Sequence, residues 1–192
     1  MPLGTWLTAG TSAAALVLAL AGPATAATAP AGTPSAAQAT VTLRYDDSRA
    51  AGWESAIAAG VASWNANVTN VRLVEAAPGA VAEIVIVATT GWPQATLGPV
   101  RPGRQVRVEL GSQAVDQGYD KTRIAAHELG HSLGLPDTKP GPCSQLMSGS
   151  SAGTACTNAT PNATERSRVQ AAYASAVAAL VPAGGRTLVD AP

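Results

Sequence analysis

His127-Glu128-Leu129-Gly130-His131-Ser132-Leu133-Gly134-Leu135-Pro136-Asp137 contains both histidines of the 192-residue chain. The stretch reads H-E-x-x-H-x-x-G-x-x-D. On a helix, residues four apart share a face, so His127 and His131 can grip one zinc ion. Glu128, turned roughly 100° from His127, misses the metal but reaches a water bound to it. Gly134 stands one turn after His131, where a helix that doubles back needs the left-handed conformation open to glycine. Pro136 keeps the helix from resuming, and Asp137 is delivered as a third ligand. Three protein ligands and one open position make a catalytic zinc site rather than a structural one. The competing reading is a chance H-E-x-x-H on an ordinary amphipathic helix. It leaves unexplained the glycine, the carboxylate at third-ligand spacing and a Leu146-Met147-Ser148-Gly149 turn downstream.

The composition narrows the partners. With 46% hydrophobic residues and zero formal net charge, the chain has no run of Lys or Arg to meet nucleic acid or an anionic membrane. Alanine supplies much of the apolar fraction, so Trp53, Trp64, Trp92 and Tyr45 are expected to anchor a small-residue core. Residues 1–26 read as an export signal, with Leu16-Val17-Leu18-Ala19-Leu20 as its apolar centre and Ala24-Thr25-Ala26 as its cleavage pattern. No Lys or Arg precedes that centre, which departs from the usual signal. Gly22-Pro23 breaks the stretch well short of the ~20 residues of a membrane span. Residues 27–39 carry too little apolar surface to fold and read as a short pro-segment or linker. Cys143 and Cys156, separated by a Gly/Ser/Thr-rich stretch, suit a loop-closing disulfide in oxidising surroundings. Zinc thiolates are the poorer alternative, because the metal already has three ligands.

Periodicity organises residues 40–181 as one domain. Val41–Tyr45 and Gln105–Leu110 alternate like half-buried strands. Val71–Val74 and Glu83–Val87 read as two further strands, the second apolar throughout and suited to a sheet centre. Helices are expected from Ala50 to about Asn67, from Thr122 to Leu133 around the metal motif, and from Ala163 to about Leu180. Residues 182–192 read as a frayed tail. The order βαβββα(loop)α predicts an α+β fold, with one mixed sheet packed by two helices and an irregular C-terminal part closed by the disulfide.

The strings AAHELGHSLGLPD, GPCSQLMSG and C-T-N-x-x-P-N-A-x-E-R-S-R-V resemble the snapalysins, small secreted neutral zinc metallopeptidases of actinobacteria. The similarity covers most of the stretch from Thr40 to about Ala178. The pattern is metzincin-like, with Asp137 where metzincins have a third histidine. The resemblance implies zinc on His127, His131 and Asp137, Glu128 as the catalytic group, and a Cys143–Cys156 disulfide. It also implies Met147 as the structural floor of a Met turn, a place that suits a flexible, polarisable side chain. It places calcium where Asp120 and Thr122 fall, oxygen donors that suit this hard ion. Read from the residues alone, Asp120 or Thr122 is a helix N-cap. Lys139 stands where relatives often carry a tyrosine, so transition-state stabilisation there needs the lysine, a backbone N–H or nothing.

These readings predict a secreted, monomeric zinc endopeptidase acting on proteins and peptides, with a proteinaceous inhibitor as an open partner class. A substrate would lie extended along a sheet edge beside the metal. The resemblance implies an aromatic residue just after the scissile bond, with Leu146 and Ser148 to Ser150 as candidate lining. The alternatives are an exported zinc hydrolase of cell-wall peptides and a binding protein that keeps the scaffold without catalysis. Glu128 speaks against the latter. Sequons at Asn67, Asn158 and Asn162 are short enough to arise by chance.

Overall fold

The computed structural model describes residues 39–174 and 185–191. The export signal, the linker up to residue 38 and the end of the last predicted helix lie outside them. Strands β1 (Val41–Arg49), β2 (Val71–Glu75), β3 (Ile84–Thr89), β4 (Gln94–Thr96), β5 (Val106–Gly111) and β6 (Thr187–Val189) form one sheet in the order β2-β1-β3-β5-β4-β6. The first four in that order run parallel, whereas β4 is antiparallel to both of its neighbours. The sheet is therefore mixed, as expected, and the apolar strand β3 sits inside it.

Alternation gives the sheet its apolar face. Leu43 and Tyr45, Val71 and Leu73, Ile84 and Ile86, and Val106, Val108 and Leu110 all join one core cluster. Helices α1 (Glu54–Asn67) and α3 (Lys121–Ser132) contribute Ile57, Val61, Trp64, Ile124 and Leu129 to it. The two helices approach closely because Gly60 has no side chain; a Cβ there would stand 3.0 Å from the backbone nitrogen of Ala126. Trp64 Nε1 donates to Ala126 O at 2.8 Å, which satisfies the one polar atom of a fully buried indole. On β1 and its neighbouring loop, Arg44 reaches the buried Glu83 carboxylate at 3.0 Å.

Several expectations need correction. Helix α1 starts at Glu54 rather than Ala50, because Gly52 adopts φ +82° and turns the chain first. Trp92 is half-buried, its ring set edge-on to Tyr119 at 6.1 Å. β4, the short helix α2 (Ser112–Asp116) and a kinked 3-10 helix (Leu146–Ala152) were not legible as elements. The last helix, α4 (Ala163–Ala172), has its N-terminus where the sequence places it. The supposed frayed tail instead returns to the sheet as β6, pairing Thr187, Leu188 and Val189 with Thr96, Ala95 and Gln94.

Candidate metal centre

Helix α3 carries the motif and is held at both ends. Asp120 is its N-cap, accepting from Arg123 N–H at 2.7 Å. At the other end Gly134 takes φ +102°, and Leu135 N–H donates back to Gly130 O at 3.0 Å. This left-handed stop reverses the chain and brings Leu135 and Asp137 over the histidines.

Each imidazole is then aimed by its far nitrogen. His127 Nδ1 lies 3.0 Å from Leu146 O, and His131 Nδ1 lies 2.7 Å from Leu135 O. A carbonyl only accepts, so both Nδ1 atoms carry the proton, an assignment made from the hydrogen bonds. Both Nε2 atoms turn inward to Asp137 Oδ1, at 3.3 Å from His127 and 3.4 Å from His131. All three atoms are buried without a hydrogen-bond partner. Two lone pairs crowded against a carboxylate oxygen repel each other unless a cation lies between them. A tetrahedral zinc with bonds of ~2.0–2.1 Å would separate its ligand atoms by about 3.3–3.4 Å, which is the spacing found. The donor set fits zinc.

The electrostatics agree. Burial works against a charged His127, but the Asp137 carboxylate, helped by Asp190 and Glu128, prevails and pushes the imidazole up to about 9. Burial keeps His131 below the ordinary histidine value despite the same carboxylate. Burial likewise opposes ionisation of Asp137, yet the two imidazoles hold it well below the usual carboxylate range. Glu128 is fully buried and neither carboxylate oxygen has a partner. Burial, reinforced by Asp190 and Asp137, drives its pKa well above the usual value.

The turn expected beneath the histidines is built from both sides. Met147 is buried with its sulfur against Gly130, where a Cβ would stand 2.6 Å from Sδ. Gly130 thus lets the methionine reach the helix backbone between the two histidines. Consecutive carbonyls of the turn do separate work: Leu146 O aims His127, and Met147 O accepts from Thr138 N–H at 2.8 Å, fixing the loop that bears Asp137. Cys143 and Cys156 are disulfide-bonded and enclose this turn.

Three contributors were missed at the sequence level. Glu165 is buried; its Oε1 accepts from Met147 N–H at 2.8 Å, while Oε2 accepts from Asn162 N–H at 2.6 Å in a capping box on α4. Its signal was present as Asn162-Ala163-Thr164-Glu165. Arg123 is buried and donates to Asn158 O at 2.6 Å, Gln145 O at 3.0 Å and Ser148 Oγ at 3.0 Å. Asp190 enters the centre from the C-terminal segment, 3.8 Å from His127 Nε2, and no local pattern announced it. Asp120 serves as a cap and belongs to no cluster of three or more His, Cys, Asp or Glu ligand atoms among the described residues.

Residues 40–176 match the Streptomyces extracellular neutral proteinase (M7) family. The extracellular small neutral protease of Streptomyces caespitosus is 43% identical over 136 residues, covering 71% of this chain and 99% of that protein. The protein of the same name from Streptomyces coelicolor is 42% identical over 138 residues, 72% of this chain; the chain spans 62% of that relative's length. High choriolytic enzyme 1, a hatching enzyme zinc-protease from Oryzias latipes, superposes with a TM-score of 0.48 at 17% identity, over 70% of this chain and 90% of that one. With the histidine helix, the Met turn and the disulfide all inside the matched residues, the chain belongs to the Streptomyces extracellular neutral proteinase (M7) family.

Proposed function

We propose that this chain is an extracellular zinc endopeptidase, with His127, His131 and Asp137 as the metal ligands and Glu128 as the general base. The observation that carries the proposal is the convergence of three buried, unpartnered ligand atoms at zinc-ligand spacing. A bound zinc ion supplies Lewis acidity, bringing a water toward a pKa of ~7 and polarising a peptide carbonyl. Glu128 takes the proton of the attacking water and passes it to the leaving amine. Leu146 O and Leu135 O keep the two imidazoles in the tautomer that leaves Nε2 free. Asp137 adds negative charge where relatives of the wider pattern use a neutral ring, so activity is expected from neutral to mildly alkaline pH.

An aromatic residue after the scissile bond would need the narrow cleft between α3 and the Met turn, lined by Tyr119, Ile124, His127, Gly149 and Asp190, to widen around it. Of the lining expected from the sequence, Gly149 and Ser150 face this cleft, whereas Leu146 and Ser148 do not. Extracellular action on proteins and peptides is consistent with the names of the relatives. The proposal contains no calcium at Asp120 and Thr122, because the Asp120 carboxylate is engaged as a cap.

The test is Glu128→Gln. The variant is expected to retain one zinc per chain by metal analysis and to lose at least about 99% of casein hydrolysis, within the range for a general base. More than a few per cent of residual activity would reassign Glu128. A peptide library run on the unaltered protein checks the aromatic preference; a basic preference at that position would overturn it.

A further inference from the structure

Strand β6 lies beyond the matched residues 40–176, and it pairs along β4 as an extended peptide can. β4 is the reversed strand packed beside α3, and β6 covers its outer edge. Peptides bind such edges by main-chain pairing, and Thr187 to Val189 do so here. Leu188 is buried in the contact. Asp190 N–H extends the ladder by donating to Pro93 O at 2.9 Å.

The segment then turns into the metal centre, where a receptor meets it. Asp190 is only 5% exposed. Its Oδ1 stands 2.6 Å from Lys139 Nζ and 3.1 Å from Ser150 N. Ala191 O accepts from Lys139 Nζ at 2.9 Å and from Ser150 Oγ at 3.1 Å. Gly149, at φ +52°, makes the room; any side chain there would collide with Asp190 Oδ1. Asp190, His127 and Glu128 offer ligand atoms within 4.8 Å of one another. The carboxylate is thus held where the open side of the metal centre should admit water and a peptide carbonyl. Burying a carboxylate is costly unless donors meet it, and here Lys139 Nζ and Ser150 N–H both do.

We propose that residues 186–191 are a self-inhibitory strand: β6 fills the substrate's place on β4, and Asp190 closes the open side of the metal centre. Peptide enters only when this segment leaves. The inference rests on the reading of the centre as a peptidase site.

The test compares the full chain, a chain ending at Gly184, and full-length Asp190→Asn. If at least nine-tenths of the full chain is self-occupied, removing the segment raises kcat/KM by about ten-fold or more, through KM with kcat unchanged. Asp190→Asn, which keeps the strand and drops the charge, is expected to show a smaller rise and covers the case of a truncated chain that fails to fold. A labelled peptide of the sequence Arg186 to Pro192 is expected to bind the truncated chain by fluorescence anisotropy, in its Glu128→Gln form as well, and to compete with substrate. An unchanged KM in both altered chains, or no peptide binding to a folded truncated chain, would overturn the proposal. If the labelled peptide binds but no form hydrolyses substrate, occlusion stands and the peptidase reading falls. If all forms hydrolyse equally and the peptide does not bind, the reverse holds.

Discussion

Residues 41–132 and residues 133–191 are held together by different means. The first region is built on four parallel strands, with the short reversed β4 beside them, and on helices α1 and α3 that share their apolar face; its order follows from alternation and helical spacing. Among the described residues of the second region, α4 and β6 are the regular elements besides the kinked 3-10 turn. Its order comes from point contacts: a disulfide, the Arg123 fork, the Glu165 bridge and the Lys139–Asp190 pair. The first region sets where the histidines stand. The second sets how they are aimed, because Leu146 O and Leu135 O are both carbonyls of its irregular backbone. A metal centre at this seam takes its rigidity from the core and its bearing from the loops.

That contrast can be broken most strongly at the disulfide. Replacing Cys143 and Cys156 by serine should cost about 3 kcal/mol in urea unfolding, by the chain-entropy estimate for a loop of this size. Hydrogen exchange should place the added opening between residues 143 and 156 and leave the sheet protected. Equal loosening of β1 and β3 would show that the two regions are not separately held.

Glu165→Ala is expected to come next, at about 2 kcal/mol, because it leaves the buried Met147 N–H unpaired and removes the capping box. The altered protein should also lose zinc faster to a chelator, since the Met turn aims His127. Glu165→Gln, which keeps an acceptor, should recover part of both effects.

The smallest expected effect sharpens the comparison from the other side. Burial opposes ionisation of Glu83, but hydrogen bonds from Arg44 outweigh it and hold the carboxyl below the ordinary value of 4.5. A depressed folded-state pKa means that this stabilisation is complete above the unfolded value and fades as pH falls through the folded one. Thermal melts below pH 4.5 should therefore show Arg44→Met losing less stability on acidification than the unaltered protein. Identical acid profiles would remove Glu83 from the account.

The motif was legible because its chemistry is local. Spacings of four, three and three residues fix a helix face, a reversal and a returning carboxylate, and the fold realises each one. The parallel strands were legible through β-branched alternation, and β1 ran four residues further than expected across a bulge between Asp46 and Arg49. Asp190 was not legible. It acts 53 residues after Asp137, directly behind a three-residue strand with one buried side chain, too short for any period to register. Arg123 was hidden differently, reading as an ordinary helix-surface charge until the irregular backbone folds over it, while the Asn162-to-Glu165 spacing announced the capping box but not the reach of Glu165 to Met147. Asp120 offered two readings, and the cap is the one its geometry fills.

Direction is also built into the sheet. Because β4 runs against both flanking strands, a neighbour paired antiparallel to it travels from Thr96 toward Gln94, and so toward His127. Any extended polypeptide that adopts this pairing lays its amino-terminal portion along the edge and presents its following amide to the histidines. Threaded backwards, the same polypeptide would forfeit that ladder. The reversal of one short strand gives that edge a single direction.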